Sequence, residues 1–379
     1  ELASGTDHNG NVRVYPLPAD GDYTQRDATP ILSFGYDALT VVTDTVTLPA
    51  DSTYIIEVDG GRYGIGGATG QYSLVINSQP AGDTGGDVYI AVESSDAVAV
   101  LDTASNSVTT NISVAQWPWA IGVAPDGSEV YTASRSDGSF TVIDAASSTV
   151  AATIGGVVND PFDIAVSPDG AFVYVLDNNV GRVAIIDAAA RAVSGELLGA
   201  TRLPSALALD PSGDTAFVVA GDSVVAFDIA TETPVDTLAG VFGLTADAAV
   251  TPDGTELVFT DFENNQLVIV DRASFSIAAT VPEISEPRGM DLTGDGATAW
   301  IAARSSSTLV GVDLASRSFV AGISLPFQPY WVTVTPDGTI GYVTEGRGGT
   351  RLAVVDLVAG SVITTLTIGD GPAQIGIRP

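Results

Sequence analysis

Chemistry-bearing side chains are scarce in this chain, and their types limit what it can do. The one histidine, His8, sits in Thr6-Asp7-His8-Asn9-Gly10-Asn11, and there is no cysteine. Beyond residue 8, no imidazole or thiolate can serve as base, nucleophile, haem ligand or metal ligand, which removes Ser-His-Asp and Cys-His catalysis from that region. Asp7, Asn9 and Asn11 have the one-three-five spacing of a calcium loop. Val12, however, stands where an EF-hand needs glycine, and Pro18 where it needs the closing glutamate. The three residues read either as a calcium site or as a polar terminal turn. Carboxylates remain for hard-cation chemistry. Glu93, Asp163 and Asp247 are the candidates, able to hold Ca2+ or to activate water through a bound divalent ion. For recognition there is a set of large aromatics, Trp117, Trp119, Phe162, Tyr330 and Trp331, with Arg288 and Gln374 as polar companions.

An internal period reveals the elements that must position these residues. Pro125-Asp126-Gly127 returns as Pro168-Asp169-Gly170, Pro211-Ser212-Gly213, Pro252-Asp253-Gly254, Gly294-Asp295-Gly296 and Pro336-Asp337-Gly338, at steps of 43, 43, 41, 42 and 42 residues. An aspartate that closes an apolar run keeps step with it: Asp102, Asp144, Asp187, Asp228, Asp271, Asp313 and Asp356. Each copy holds four short runs rich in Val, Ile, Thr and Tyr; in the second they are AIGVA, EVYTA, FTVID and TVAATI. Such runs, bounded by Pro, Asp, Gly and Ser, read as strands, with the Pro-Asp-Gly segments as turns. Seven copies of four strands predict an all-β, seven-bladed β-propeller over residues 87–379. The final run, Gln374 to Arg378, matches a strand that precedes a turn, and Val88-Tyr89-Ile90-Ala91 supplies its continuation. One blade is therefore expected to be built from both ends, with the C-terminal strand innermost, so that no open ring edge is left.

Residues 86–379 resemble the YVTN-type seven-bladed propeller repeats. Tyr342-Val343-Thr344-Glu345 differs by one letter from that family's Tyr-Val-Thr-Asn signature, and Tyr174-Val175 begins another copy. The resemblance implies a propeller of the kind found in surface-layer and other secreted proteins. It does not imply one activity, because a fold carries many. The aromatics at one position per repeat, Tyr89, Tyr131, Tyr174, Phe217, Trp300 and Tyr342 with Val258 in the seventh copy, read as inter-blade packing. The strand-end aspartates read as turn caps.

In such a ring, the loops between blades and those between second and third strands share one face and converge on the central funnel. The first group places Trp117, Trp119, Phe162, Asp163, Asp247, Arg288, Tyr330, Trp331 and Gln374 there, and the second includes Glu93. The aromatics read as ligand contacts on the funnel face, or as plugs between blades. Residues 1–80 do not follow the repeat. Thr45 to Pro49, Tyr54 to Val58 and Tyr72 to Ile76 read as strands of a small β-sandwich-like domain, and residues 81–86 as a linker. From about 45 to 78 the chain resembles the end of a bacterial pre-peptidase C-terminal (PPC) domain, in YIIEVDGG and Thr69-Gly70-Gln71-Tyr72. That resemblance implies an accessory module.

The chain carries 46 acidic residues against 14 basic ones, for a net charge of −32. Such a surface repels nucleic acid and anionic membrane, and suits a saline exterior. No stretch of 18 apolar residues is present, so no membrane insertion is expected. The start at Glu1-Leu2-Ala3, without methionine, reads as a processed or excised segment. Together these features predict a non-catalytic extracellular or cell-surface module that binds a protein or glycan. It needs no firm cofactor, with Ca2+ the one candidate. The alternatives are a self-assembling subunit of a surface layer or filament, and a metal-dependent lactonase or hydrolase of the gluconolactonase-like propeller class.

Overall fold

The structure, a computed structural model, describes residues 10–16, 32–36, 54–59, 86–200, 203–240, 242–346 and 348–378. The chain divides into two compact units, Glu1–Ala81 and Gly82–Pro379. In the first, Gly10–Pro16 is the centre of a three-stranded antiparallel sheet, flanked by Leu32–Tyr36 and Tyr54–Asp59. The strand expected at Tyr54 is there. Those expected at Thr45 and Tyr72, and the linker at 81–85, lie outside the described residues.

The second unit is seven four-stranded antiparallel sheets, each a meander from an innermost to an outermost strand. Sequence chemistry fixes the local parts. In the Pro-Asp-Gly turns the aspartate accepts the N–H two residues on, as Asp126 does from Ser128 and Asp253 from Thr255, while Gly127 and Gly254 take positive φ. All seven strand-end aspartates cap the following turn; Asp144, for example, accepts from both the N–H and the hydroxyl of Ser147. The second and third strands of a blade are covered on both faces by neighbouring blades. Phe172–Asp177 and Arg182–Asp187 therefore read as continuous apolar runs, not as alternating ones. Outermost strands such as Ser107–Ser113 expose alternate residues and do alternate. The one-per-repeat aromatics are buried between blades, as are Val258 and its neighbours.

Closure joins the two ends of the ring. Pro372–Ile377 pairs antiparallel with Asp87–Val92, which pairs with Ala97–Asp102 and then Ser107–Ser113. Arg378 adds an N–H bond to the Asp87 carbonyl. Ion pairs stitch the blades on the far side of the ring. Arg191 reaches Glu129, Arg272 reaches Asp210 and Arg317 reaches Glu256, each pair spanning one blade boundary.

Candidate functional site

The innermost strands share an irregularity that positions the site. In six blades the ladder between first and second strands slips at the strand start: between Pro118 and Ala120, Pro161 and Asp163, Pro204 and Ala206, Thr245 and Ala248, Pro287 and Met290, and Pro372 and Ile375. These are β-bulges, which free backbone groups and re-aim side chains. The bulged stretches carry Trp119, Phe162, Ser205, Ala246–Asp247, Arg288–Gly289 and Ala373–Gln374. In the seventh blade Tyr330 and Trp331 lie just ahead of the first strand pair, Val332 opposite Val343. Trp119, Phe162, Asp163, Asp247, Arg288 and Gln374 thus lie on one structural feature repeated round the axis.

The bulge carboxylates are joined to the backbone of the next blade. Asp163 accepts from its own neighbour Ile164 N–H at 2.9 Å and, through its other oxygen, from Leu207 N–H of the following blade at 2.9 Å. Asp247 does the same with Ala248 and Met290, both at 2.8 Å. Asp291, two positions further along its strand, accepts from Leu292 and Val334 N–H at 2.8 Å and from the Thr333 hydroxyl at 3.0 Å. Gln374 plays the part with an amide. Its Oε1 accepts Ile121 N–H at 2.8 Å and its Nε2 donates to Asp163 at 2.7 Å. Burial lifts Asp163 and Asp291 to about 6, against the pull of their hydrogen bonds. It raises Asp247 well above the ordinary carboxylate range, with the nearby Asp163 charge adding to the rise. In each carboxylate one oxygen caps its own strand and the other reaches the next blade, so both oxygens are engaged. Among the described residues, no three His, Cys, Asp or Glu side chains are grouped to hold a metal ion.

The aromatics cluster above this layer. Trp119 lies 5.8 Å from Phe162 and 6.4 Å from Tyr330, and Tyr330 lies 5.9 Å from Trp331. Guanidiniums sit on the rings, Arg135 at 4.8 Å from Trp119, and Arg288 at 4.2 Å from Phe262 and 5.6 Å from Tyr330. Trp119 and Trp331 are only 2% and 4% exposed, so the plug reading describes them. Two glycines make the room. A Cβ at Gly289 would stand 2.3 Å from Trp331 Cε3, and Gly346, at φ 81°, lies against the Tyr330 ring. Beside the plug a cavity of about 170 Å3 remains, lined by Phe162, Ser205, Phe262, Arg288, Tyr330 and Trp331 among others, with Leu203 and Leu244 also on its wall. Those two leucines are 64% and 50% exposed, and Trp117 is 54% exposed. Trp117, Leu203 and Glu286 each immediately precede a proline and hold φ of 58°, 63° and 51°. That left-handed conformation costs a large side chain on the order of 1 kcal/mol and is retained where the surroundings dictate it.

Most polar residues on this face bind the blade-to-blade crossings. Asp96 accepts Trp117 N–H, Asp177 accepts Asn159 N–H, Asp261 accepts Gly243 N–H, Glu263 accepts Leu244 N–H and Asn265 accepts Glu286 N–H. Glu286 pairs with Arg288, Arg304 and the Ser305 hydroxyl, which hold its carboxyl down to about 2. Glu93 lies on a short 3-10 turn, Glu93–Ser95, away from the cavity lining, and its N–H donates to the Gly371 carbonyl. Asp7 and Asn9 lie outside the described residues, and only the strand position of Asn11 is described. Of the predicted face, the cavity gathers Phe162, Arg288, Tyr330 and Trp331. It leaves Trp117 on the exposed rim and Asp163, Asp247 and Gln374 in the stapling layer. Sequence reasoning did not single out Leu203, Leu244, Phe262 or Asp291. Leu203 was findable because it precedes Pro204 as Trp117 precedes Pro118, and Asp291 because it interrupts an apolar innermost strand.

No curated protein matches the chain in sequence. Among solved structures, a chain of the Kuenenia stuttgartiensis hydrazine synthase is similar, with a TM-score of 0.63 and 20% identity, covering 79% of this chain and 99% of that one. At that identity the likeness is one of fold. The sequence itself matches the YNCE-like beta-propeller family over residues 76–377, and the chain belongs to that family.

Proposed function

We propose that the propeller is a non-catalytic recognition module, exported to a saline exterior or cell surface, whose funnel face receives a protein or glycan. The observation that carries this reading is the cavity at the bulged strand starts, with aromatic and guanidinium residues among its lining and the exposed Leu203 and Leu244 on its wall. Monomeric surfaces rarely keep large apolar side chains together unless something covers them, and here one of the two, Leu203, is held in a left-handed backbone. The bonding of Asp163 and Asp247 to neighbouring blades supports recognition over the lactonase or hydrolase reading, since both are committed to structure. The net charge of −32 and the YVTN-like and PPC-like stretches favour an exported setting.

The test is a printed array of glycans and extracellular protein domains. It is probed with the native chain, with Leu203→Ser/Leu244→Ser, and with Asp126→Asn/Asp169→Asn on the opposite turns. A ligand lost with the leucine pair and kept with the turn pair supports the reading. A ligand indifferent to the leucine pair, or turnover of lactone or ester substrates abolished by Asp163→Asn, overturns it.

A further inference from the structure

Resting on the recognition reading, we propose that the partner is a protein segment, apolar on one side and carrying lysine or arginine at its margin, which docks on an arc of exposed aliphatic side chains across the funnel face. Val180, Leu198, Leu203 and Leu244 are each at least half exposed. The fold brings them together from three loops. Asn178 Nδ2 donates to the Pro204 carbonyl at 2.7 Å, which fixes the hairpin tip carrying Val180 against the crossing that carries Leu203. Leu198 lies opposite Arg182, where that hairpin re-enters the sheet. Leu203 and Leu244 line one cavity, with Gly221 also on its wall. Large aliphatic side chains gathered at a surface are unfavourable in water unless a partner covers them. Leu203 holds its exposed side chain on a left-handed backbone, at φ 63°, a conformation that glycine or asparagine adopts at less cost.

Charge selects the partner. Asp222 follows Gly221 at the tip of the hairpin between the two leucine crossings, and its carbonyl takes the Gly240 N–H of the second crossing. Glu263 accepts the Leu244 N–H at 3.1 Å. Both carboxylates are exposed. Among the described residues neither has an arginine partner, whereas Arg182 is paired with Glu196 and Arg288 with Glu286. From residue 178 to residue 265 the sequence holds 13 acidic residues and 3 arginines. The apolar arc therefore lies in a negative field, which favours a partner that brings cations to its rim. The other occupants meet opposition. A second copy of this chain, at −32, repels the first, as do nucleic acid and anionic membrane. A glycan presents hydroxyls, which aliphatic side chains desolvate without pairing.

The experiment mixes the full chain with three synthetic helical peptides of one heptad pattern, leucine–lysine, leucine–glutamate and serine–lysine. Fluorescence anisotropy and calorimetry are the readouts. The leucine–lysine peptide should saturate at one per chain in about the micromolar range, at least about tenfold tighter than the other two. Leu203→Ser/Leu244→Ser should weaken it more than about tenfold, and Val180→Ser, further out on the arc, should weaken it in the same direction. Asp222→Asn/Glu263→Gln should weaken it about threefold and flatten its salt dependence, while the glutamine keeps an acceptor for the Leu244 N–H. Asp126→Asn/Asp169→Asn, the same loss of charge on the opposite turns, should change neither. No saturable leucine–lysine binding, equal binding of the serine–lysine peptide, or preference for the leucine–glutamate peptide overturns the proposal. So does equal loss with the opposite-turn pair, or binding indifferent to the leucine pair; should that pair melt early, Val180→Ser decides. A glycan as the array ligand that depends on Leu203 and Leu244 removes the basic segment and leaves the recognition reading standing. An array ligand indifferent to those leucines removes the recognition reading itself.

Discussion

Gln374 Nε2 donates to Asp163 Oδ1 at 2.7 Å across 211 residues of sequence, while Gln374 Oε1 takes the Ile121 N–H. One amide thus ties the C-terminal strand to two other blades at the axis. Gln374→Ala leaves Ile121 N–H without its acceptor in a buried layer and takes from Asp163 Oδ1 one of its two donors, Ile164 N–H remaining, and should cost about 1–3 kcal/mol in denaturant unfolding. Gln374→Glu should be worse at neutral pH, because it sets a second carboxylate against Asp163, and should recover on acidification as one of the pair takes a proton. Equal stability of the Ala and Glu variants at pH 7 would falsify the stapling role.

Removal of residues 372–379 takes away the strand that pairs with Asp87–Val92 and closes the ring. The exposed apolar edge and lost ladder should lower unfolding free energy by more than about 4 kcal/mol. Calorimetry checks this, and an unchanged Tm contradicts the closure.

Acid behaviour follows from the buried carboxyls. Asp163 and Asp291 are raised from 3.8 to about 6, so the folded state binds their protons more tightly than the unfolded state. The stability they contribute is complete below pH 3.8 and is lost as pH rises through about 6. Glu286 runs the other way. Lowered from 4.5 to about 2, its contribution is present above 4.5 and lost as pH falls through 2. At fixed ionic strength, stability should therefore decline between pH 4 and 7, and Asp163→Asn should flatten part of that slope. A variant with the native slope removes Asp163 from the account.

Salt should stabilise the fold. With a net charge of −32, lengthening the Debye length from about 3 Å at 1 M to about 30 Å at 10 mM NaCl leaves surface carboxylates repelling one another. Tm should climb steadily with NaCl. Micromolar Ca2+ should add nothing beyond its ionic strength, and a sharp Tm rise with calcium alone would instead reveal specific sites.

The sequence by itself determined the ring. Blade number, strand content, the Pro-Asp-Gly turns and the aspartate caps rest on contacts two to five residues apart, and such contacts leave a periodic trace that can be read directly. Asp144 bonding Ser147 is visible as a motif. The funnel was only half legible. The aromatics and polar residues at blade starts could be aligned, but their roles depend on partners about one blade, or half the ring, away. Asp163 reads as a candidate metal ligand until ring closure brings Leu207 and Gln374 against it. Trp119 and Trp331 read as ligand contacts or as plugs until the converging strand starts bury them, leaving Leu203 and Leu244 outside. Local hydrogen bonding wrote the repeat into the sequence. Which side chains meet at the axis was decided by the tertiary structure, because seven strand starts contribute to one small space and the fate of each depends on the bulk of its neighbours.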